Sequence, residues 1–580
     1  MKSKTLNRCL EIAKPHKKTI ILVSIISIVI DLLEISKPYL IKTVIDNFLS
    51  YEISEKGFLN ITNIGCIYLS FVVIGNILDF FTRMKTNIMG EEILYTLRNK
   101  IYQYAQNANI QFHDKTSAGT LFARITNDVE DISAVFKEIV STLFKDIISI
   151  VTIIIVMFYF SVKLSLLTFI ILPFVIVTSI MLTIILNKIY DASKVIRTNI
   201  NIFLAESIYG AKIIKIFNIQ KEKQEECEEL TQKFINTRMP ASIFEGLFPA
   251  LMKLFENLAI TIIVLVAVNK WFGISVEVGA IYIFVSYIKS LFEPINRIID
   301  SVETLQEAIV SINKIYDILE QKEYLEDFNS GIPIENFKGK IEFKNVWFAY
   351  ANEDWILKDI SFTINPGETI ALVGKTGSGK TTITNLINRF YDIQKGEILL
   401  DGININEINK KDLRRHIGTV LQDPFIFARS IKDNIKLNKK MSDNEVRNAI
   451  KMASAEGFIN NLPNGIDEIS KERGESYSAG QKQLIAFARI FAHNPDIFIL
   501  DEATANIDTD TEKLIQKSIS KLSKEKTAIC IAHRLSTIVN VDKIIVLEDG
   551  KIIEQGKHEE LLKKDGYYSK LYNSYYESLG

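Results

Sequence analysis

The clearest chemistry in this sequence lies in a glycine-rich loop of the second half of the chain. The segment Gly374–Thr381 reads GKTGSGKT and fits the phosphate-loop pattern G-x-x-x-x-G-K-[ST]. The apolar run Thr369–Val373 predicts a buried strand before it, and Thr382–Phe390 predicts a helix after it. Glycine lets the backbone N–H groups converge on phosphate oxygens, and the helix N-terminus adds a positive dipole end. The loop is therefore predicted to bind the phosphates of a nucleotide.

Two side chains of this loop have distinct predicted roles. Lys380 is expected to reach the terminal phosphates, and the Thr381 hydroxyl is expected to hold Mg²⁺. The alternative, an ordinary glycine-rich turn, does not account for the strand and helix that flank the motif. The predicted nucleotide contacts are Gly374, Lys375, Thr376, Gly377, Ser378, Gly379, Lys380, Thr381 and Thr382.

A pair of acids ends a second apolar run. Ile497–Leu500 is followed by Asp501 and Glu502, which is typical of a buried parallel strand whose carboxyl end opens at a ligand crevice. Asp501 is suited to binding Mg²⁺ through water, and Glu502 to polarising the water that attacks a γ-phosphate. Acids also begin many helices, so the pair alone does not decide between the two interpretations. The phosphate loop earlier in the same half favours the catalytic one.

An aromatic residue, Tyr350, follows the first strand predicted in the second half. Strands are predicted at Lys340–Phe348 and Asp359–Ile364, with a polar turn between them. Because Tyr350 precedes the phosphate loop in this half, we favour a platform for a purine ring. The alternative is an aromatic residue on an edge strand.

The elements that position these residues belong to a chain with two halves of different composition. A chain of 580 residues is too long for one core. Its hydrophobic content of 48% is concentrated in the first half, which indicates a membrane half and a soluble half. The net charge of −1 gives no basis for binding nucleic acid. We place a transmembrane domain at 1–320, a linker at 321–340 and a nucleotide-binding domain at 341–580.

Six apolar stretches in the first half have about the length needed to cross a hydrocarbon core of about 30 Å. They lie near Ile20–Leu40, Ile64–Phe81, Ile147–Phe160, Leu164–Leu186, Leu254–Trp271 and Val276–Leu291. Basic residues before the first stretch predict a cytoplasmic N-terminus. Six spans return the chain to that side of the cytoplasmic membrane, so the nucleotide-binding domain is also expected in the cytoplasm.

Helical patterning continues beyond several of these stretches. Asn63–Asn107 corresponds to about 65 Å of helix, which is about twice the hydrocarbon thickness, so long cytoplasmic extensions are expected. Elbows are predicted at Ile110–Gly119 and Ser207–Lys212. Charged residues within this half are expected to line a polar path or to pair with one another, because facing lipid is costly. They are Asp31, Glu34, Asp79, Arg83, Lys253, Glu256, Glu293 and Arg297.

The motifs of the second half, taken in order, resemble those of ATP-binding cassette proteins. Val420–Pro424 is similar to the glutamine loop of that family, Tyr477–Gln481 to its signature, and Ile531–Arg534 to its histidine switch. Ala505–Asp508 resembles the loop that crosses between two cassettes. The whole chain looks like an exporter-type half-transporter, with six spans followed by one cassette. The resemblance implies ATP and Mg²⁺ as cofactors.

The resemblance also implies roles for individual residues. Gln422 would contact Mg²⁺ and report nucleotide to the membrane domain, and His533 would lie near the γ-phosphate. Ser478, Gly480 and Gln481 would bind ATP held by a second cassette, through a hydroxyl, backbone N–H groups and a helix dipole. The two elbows would be the coupling helices that rest on the cassettes. The implied catalytic residues are Glu502, His533, Gln422 and Lys380.

The signature also bears on the partner of this chain. In the family one chain supplies halves of two different sites, so the resemblance implies that a second half-transporter is required for hydrolysis. The signature normally reads L-S-G-G-Q, and here Tyr477 and Ala479 replace its leucine and one glycine. The Cβ of Ala479 either keeps the backbone too far from the phosphate for a close contact or, if the φ of Ala479 is negative, leaves that contact intact. Complete catalytic acids with an altered signature favour a heterodimer over a homodimer.

These observations predict the fold class of a multi-domain membrane protein. We expect an all-α six-helix transmembrane domain with long cytoplasmic extensions, followed by an α/β phosphate-loop NTPase domain of ABC type. The expected function is ATP-driven export by alternating access, as one half of a dimeric transporter in the lipid bilayer. The alternatives are an ATP-gated channel or membrane regulator, and an importer on the same fold. The sequence does not choose a substrate.

Overall fold

The residues that the computed structural model describes are 2–48, 55–269, 271, 277–334, 337–351, 353–501, 509–522, 526–531 and 539–577. They belong to two compact units. The helical unit comprises Met1–Gln106 and Ser117–Lys322. The sheet unit comprises Asn107–Thr116 and Glu323–Gly580.

Long helices dominate the chain up to residue 320. In chain order they are α1 Lys2–Ala13, α2 Lys17–Phe48, α3 Glu55–Asn107, α4 Ile110–Lys115, α5 Ala118–Ala123, α6 Val129–Glu138, α7 Phe144–Phe160, α8 Val162–Phe169, α9 Leu172–Tyr209, α10 Ala211–Ile216, α11 Gln220–Val268 and α12 Val278–Leu319. Helix α3 has 53 residues, or about 80 Å, and α11 has 49. The predicted extension of these helices beyond a membrane core is therefore confirmed.

Five helical segments of the described chain are long and apolar enough to cross a membrane. They are Lys4–Asp46, Ile61–Asn107, Val162–Tyr209, Gln220–Val268 and Val278–Ile298. Three of the six predicted spans lie within these segments, and Leu254–Trp271 and Val276–Leu291 overlap the last two. The first segment joins α1 to α2 through a 3-10 turn at Lys14–His16, and the third joins α8 to α9.

The remaining predicted span, Ile147–Phe160, lies in the 17-residue helix α7. The π-helical turn Ile139–Leu143 separates α7 from α6. A π turn inserts an extra residue into the helical repeat, so α7 begins as a separate helix that is shorter than the five segments above. The backbone nevertheless stays helical from Val129 to Phe160.

Most of the charged residues predicted within the membrane half form ion pairs in the helical unit. The pairs are Lys37–Glu34 at 2.6 Å, Arg83–Asp79 at 2.6 Å, Lys253–Glu256 at 2.7 Å, Arg297–Glu293 at 2.6 Å and Arg297–Asp146 at 2.6 Å. Pairing lowers the cost of holding a charge away from water. Asp31 is the exception: no ion pair is found for it within the described part of the chain.

The sheet unit is an α/β structure with two sheets. Its elements are β1 Ile341–Phe348, β2 Leu357–Ile364, β3 Thr369–Val373, α13 Lys380–Ile387, β4 Lys395–Leu400, β5 Ile403–Asn404, α14 Lys410–His416, β6 Ile417–Val420, α15 Ile431–Lys436, α16 Asp443–Met452, α17 Glu456–Asn460, α18 Ala479–His493, β7 Ile497–Asp501, α19 Thr509–Leu522, β8 Thr527–Ile531, β9 Lys543–Glu548, β10 Lys551–Gly556, α20 His558–Lys563 and α21 Tyr567–Glu577. The predicted strands on either side of Tyr350, and the strand and helix around the phosphate loop, are confirmed.

The two sheets enclose one apolar core. The larger sheet has the order β10-β9-β3-β8-β7-β6, and the smaller has the order β2-β1-β4-β5. In the larger sheet every neighbouring pair is parallel except β10 with β9. Strands β3 and β8 are buried along their whole length, as expected for parallel strands covered on both faces. A second core holds α15, α16, α17 and α18 against β6 and β7.

The first predicted elbow, Ile110–Gly119, belongs to the sheet unit as far as Thr116. Its helix α4 has Asn109 as the N-cap residue, whose side chain accepts a hydrogen bond from the Phe112 N–H. The Asn109 N–H donates to the Tyr324 carbonyl at 2.7 Å, and the Phe112 ring lies 5.9 Å from the Tyr324 ring. The Tyr391 hydroxyl donates to Asp114. The elbow is thus fastened to the nucleotide-binding half by backbone and side-chain contacts.

The segment predicted as a linker, 321–340, is also bonded to the sheet unit. Ile332 pairs with Ile408 in a parallel bridge, and its N–H donates to the Glu407 carbonyl at 2.6 Å. The side chain of Glu326 is only 4% exposed and accepts hydrogen bonds from both guanidinium nitrogens of Arg414, at 2.8 and 3.0 Å. Lys410 adds a third contact at 3.1 Å.

These cations decide the charge state of Glu326. Burial alone raises the pKa of its carboxyl, but the hydrogen bonds and charges of Arg414 and Lys410 outweigh burial and hold the pKa below its ordinary value. A lowered pKa means that the native state favours the ionised carboxylate. The stabilisation is therefore complete above pH 4.5 and is lost as the pH falls through the lowered folded pKa.

We expect Glu326→Gln to destabilise the sheet unit by about 3 kcal/mol, because removing one partner of a buried ion pair leaves the other charges unpaired. Thermal unfolding of the purified full-length chain at pH 7 measures this as a lower midpoint. The difference from wild type should shrink in acid, below pH 4.5. Glu323→Gln, at an exposed position three residues away, is the matched control and should leave the midpoint unchanged. Equal midpoints for both variants would contradict the structural role of Glu326.

Candidate nucleotide site

The phosphate loop connects β3 to α13 at the carboxyl end of the parallel strands of the larger sheet. Strand β3 lies between β8 and β9, and α13 begins at Lys380 with Gly379 as its N-cap residue. Gly379 has a φ of 101°, which L side chains rarely adopt, and a Cβ there would lie 2.5 Å from Leu357 Cδ2. At Gly374 a Cβ would lie 2.2 Å from the Leu547 carbonyl oxygen. Only glycine fits at these two positions.

Lys380 holds the loop in its curled form. Its side chain is buried, and Nζ donates to the Gly374 carbonyl at 2.7 Å and to the Lys375 carbonyl at 2.9 Å. The ammonium group therefore lies inside the loop that is predicted to surround the phosphates. Thr376 and Gly377 are exposed at the turn of the loop. The Lys375 ammonium lies 5.9 Å from the centre of the Tyr567 ring in α21, a contact that the sequence did not predict.

The Ser378 hydroxyl supports a bound phosphate at this loop. It is 4% exposed, and its Oγ has no hydrogen-bond partner among the described residues. Buried hydroxyls are normally paired, so this one is available to donate to a group that enters the loop. The N-terminus of α13 and the Lys380 ammonium supply positive charge at the same place. The loop residues thus fit the phosphates of ATP.

Tyr350 lies beside the first turn of α13. Its hydroxyl donates to Thr382 Oγ1 at 3.2 Å, and its ring meets the Tyr391 ring edge to face at 4.9 Å. The residue is 41% exposed, so part of the ring remains accessible to a purine. Burial and the hydrogen bond to Asp114 raise the pKa of Tyr391 above its ordinary value. Its phenol therefore stays protonated behind the Tyr350 ring.

The carboxyl ends of four adjacent strands bring the other predicted residues to the same sheet edge. Strands β3, β8, β7 and β6 are neighbours and parallel. The loop follows β3, Asp501 is the last residue of β7, and Gln422 lies two residues after β6. Glu502 directly follows β7 and His533 follows β8 by two positions, but both lie outside the described residues, as does the crossing loop Ala505–Asp508.

The metal ligands predicted at this edge are oxygen donors. Thr381 is exposed at the start of α13, Gln422 is exposed, and Asp501 is partly exposed. Mg²⁺ is held by few protein oxygens, with phosphate and water completing its shell. These donors therefore fit Mg²⁺. Within the described ranges no three His, Cys, Asp or Glu side chains form a metal site of their own.

The signature residues begin helix α18. Ser478 is its N-cap, with Oγ accepting from the Gln481 N–H at 3.2 Å, and Gln481 Oε1 accepts from the Ser478 N–H at 3.0 Å. Gly480 is buried, whereas Ala479 is exposed in the first turn of the helix. Ala479 is not among the residues with positive φ, so its Cβ causes no backbone strain.

Tyr477, the other departure from the usual signature, is a core residue. Its ring is 8% exposed and lies 6.3 Å from the Phe458 ring. The Ser470 hydroxyl donates to its phenol oxygen at 3.3 Å. Tyr477 therefore fills the core of α15 to α18, where leucine is usual in the family, and satisfies its hydroxyl there.

Gln483 is a site residue that the sequence reasoning missed. Its Nε2 donates to the Leu421 carbonyl at 3.1 Å and to the Gln422 carbonyl at 2.8 Å. A buried helix residue thereby fastens the backbone of the glutamine loop to the signature helix. The signal in the sequence was a polar residue directly before the apolar run Leu484–Ala488. A polar side chain that is buried beside such a run needs a specific hydrogen-bond partner.

Comparison with family models matches both halves of the chain. Residues 20–295 match the ABC transporter transmembrane region, and residues 357–505 match the ABC transporter model of the ATP-binding domain. The uncharacterized ABC transporter ATP-binding protein YfiC of Bacillus subtilis is 34% identical over 580 residues, covering 99% of this chain and 94% of YfiC. The "Probable multidrug resistance ABC transporter ATP-binding/permease protein YheH" of the same organism is 38% identical over 515 residues, covering 87% of this chain and 76% of YheH.

A solved structure has the same fold. It is that of a bacterial Atm1-family ABC exporter with ATP bound, with a TM-score of 0.81, 24% identity, and coverage of 96% of this chain and 98% of that one. The predicted fold class, a helical transmembrane domain followed by an α/β nucleotide-binding domain, is confirmed. Both family models and the relatives agree with the motifs, and the chain belongs to the ABC transporter family.

Proposed function

We propose that this chain is one half of an ATP-driven exporter that works by alternating access in the cytoplasmic membrane, with its sheet unit in the cytoplasm. The observation that carries the proposal is the shared sheet edge at which the phosphate loop, Asp501 and Gln422 emerge from β3, β7 and β6. The same chain holds five helical segments that are long and apolar enough to cross a membrane. The name of YheH, which specifies multidrug resistance, supports export of small molecules.

The chemistry that we propose is in-line attack of water on the γ-phosphate. When bound, ATP would supply the phosphoryl group and Mg²⁺ would neutralise its charge. Lys380 and Ser378 would hold the phosphates, and Thr381, Asp501 and Gln422 would hold the metal. Glu502 takes the proton of the attacking water, and His533 orients the γ-phosphate.

The partner that we propose is a second half-transporter, whose signature closes over the ATP of this chain. The altered signature favours a heterodimer. Two effects of Ala479 could favour a heterodimer: backbone strain and an added Cβ at the phosphate contact. The helical backbone of Ala479 removes the first, so only the added Cβ still favours a heterodimer. Purification of the tagged chain alone separates the possibilities. A stable homodimer that hydrolyses ATP at both sites would contradict the heterodimer.

The direction of transport is tested in inverted membrane vesicles that contain the chain and its partner. ATP-dependent accumulation of a fluorescent drug inside the vesicles supports export. ATP-dependent depletion of preloaded vesicles indicates an importer. Passive flux that needs ATP binding, and that continues in the Glu502→Gln variant, indicates a gated channel or regulator. These outcomes separate the proposal from the two alternatives.

Tyr350 gives a prediction for nucleotide affinity. Tyr350→Ala is expected to weaken ATP binding about tenfold, because stacking of a base on an aromatic ring contributes about 1 to 3 kcal/mol. Tyr350→Phe keeps the ring and loses only the hydroxyl contacts with Thr382 and Asn385, so its affinity should stay within about twofold of wild type. Titration of the purified chain with a fluorescent ATP analogue measures both. Equal losses in the two variants would assign the effect to the hydroxyl.

A further inference from the structure

A polar cavity lies within the helical unit. Its volume is about 430 Å³, which is in the range of small-molecule sites. Helices α2, α3, α7 and α12 supply most of its lining. The charged residues that line it are Asp31, Glu34, Asp79, Asp146 and Glu293 on the acidic side and Arg83, Lys145 and Arg297 on the basic side.

Four of these five carboxylates have a cationic partner. Lys37 pairs with Glu34, and Arg83 and Lys145 pair with Asp79, at 2.6 and 3.8 Å. Arg297 pairs with both Asp146 and Glu293, and its contact with Asp146 is bidentate. Asp31 is the remaining carboxylate of this cavity, and no ion pair is found for it among the described residues.

Asp31 is also buried and incompletely hydrogen-bonded. It is 3% exposed, and its Oδ2 has no partner in the described part of the chain. On a neighbouring helix, Thr82 lines the same cavity, is 2% exposed, and its Oγ1 is likewise unpartnered there. Unpaired buried polar atoms are rare in folded proteins. Two of them among the residues that line one cavity point to a polar ligand that enters it.

The chemistry of these two groups restricts the ligand. A carboxylate oxygen accepts hydrogen bonds, and a hydroxyl can accept one as well. An ammonium group has three donors, no acceptor and a positive charge, so it matches both atoms. A bare metal ion is disfavoured because no three His, Cys, Asp or Glu side chains in the described ranges form a metal site. Lys145 and Arg297 attract the Asp31 carboxylate, whereas Asp146 and Glu34 repel it.

We propose that this cavity binds the ammonium group of a transported organic cation, with Asp31 as its counter-ion and Thr82 as a second acceptor. The inference rests on the proposed export function and names a substrate class for it. The paired carboxylates position the arginines and lysines, and Asp31 supplies the uncompensated negative charge.

The test uses two probes that differ in charge. Dansylcadaverine carries a primary ammonium, and its N-acetyl derivative is neutral at that position. Fluorescence anisotropy measures their binding to the full-length chain in lipid nanodiscs without ATP. We expect the wild-type chain to bind the amine about thirtyfold tighter than the acetylated probe, as is typical of a buried hydrogen-bonded charge pair. Equal affinities for the two probes would overturn the proposal, and this comparison needs no variant.

Variants then locate the effect. Asp31→Asn should abolish the preference for the amine, Asp31→Glu should restore most of it, and Thr82→Val should weaken amine binding severalfold. Asp191→Asn, at an exposed position of α9, makes the same chemical change elsewhere and should have no effect. An unchanged preference in Asp31→Asn would overturn the assignment.

ATP-dependent accumulation of each probe in inverted vesicles separates this inference from the export function. Charge-selective binding without accumulation supports the site and contradicts export. Accumulation of both probes equally, in wild type and Asp31→Asn, supports export and contradicts the site.

Discussion

Replacement of Glu502 by Gln is expected to lower ATP turnover by about two to four orders of magnitude, the usual contribution of a general base. Glu502 directly follows Asp501 at the carboxyl end of β7, the edge at which the phosphate loop also emerges. Glutamine keeps the size of the side chain but accepts no proton from the attacking water. ATP binding should be unchanged, because the loop and the metal ligands are intact. Phosphate release at saturating ATP and titration with a fluorescent ATP analogue measure the two quantities.

The control for this variant is Glu456→Gln, at an exposed position in the first turn of α17. It makes the same chemical change in the same unit and should leave turnover within about twofold of wild type. Undiminished hydrolysis in Glu502→Gln would refute its assignment as the base. A matching loss of ATP affinity would place Glu502 among the binding residues instead.

Lys380→Met is expected to weaken ATP binding about a hundredfold or more and to remove measurable hydrolysis. The Lys380 ammonium is predicted to bind the terminal phosphates, and its two hydrogen bonds to the loop carbonyls keep the loop curled. Charge-assisted hydrogen bonds contribute about 1.5 to 3 kcal/mol each, so the loss of two or more has a large effect. The rise in unfolding midpoint with added ATP measures the change in affinity.

Two further variants distinguish phosphate binding from loop support. Lys380→Arg keeps the charge but places a larger, planar group in a buried position, so partial affinity is expected. Lys411→Met, at an exposed position of α14, should bind ATP as wild type does. A Lys380→Met chain with normal ATP affinity but a lower midpoint without nucleotide would show that the residue is structural only.

The features that the sequence predicted well are those set by local spacing. The phosphate loop was predicted because the apolar strand Thr369–Val373, the glycines of the loop and Lys380 follow one another in the sequence. Each of these parts has one structural role, in the strand, the loop or the helix. The long extension of α3 followed from uninterrupted helical patterning.

The features that the sequence did not predict depend on residues far apart in the chain. Asp146 lies one residue before the predicted span Ile147–Phe160 and was not among the predicted charged positions, and its pairing with Arg297 joins two helices that are far apart in the sequence. The composition of 321–340 is that of a linker, yet the ion pair of Glu326 with Arg414 ties it to the sheet unit. Pairings of this kind leave no periodic signal in either segment. The sequence left the backbone conformation of Ala479 undecided for a different reason, because the φ of this residue depends on where α18 begins.

The bond from Gln483 to the glutamine loop has a consequence for cooperativity between the two ATP sites. In the proposed dimer, α18 begins at the nucleotide of the partner, whereas Gln422 lies at the nucleotide of its own chain. Gln483 joins the two at 2.8 Å, so the position of Gln422 depends on the occupancy of both sites. Each half would then respond to coincident ATP binding, and its hydrolysis should rise with a Hill coefficient above one.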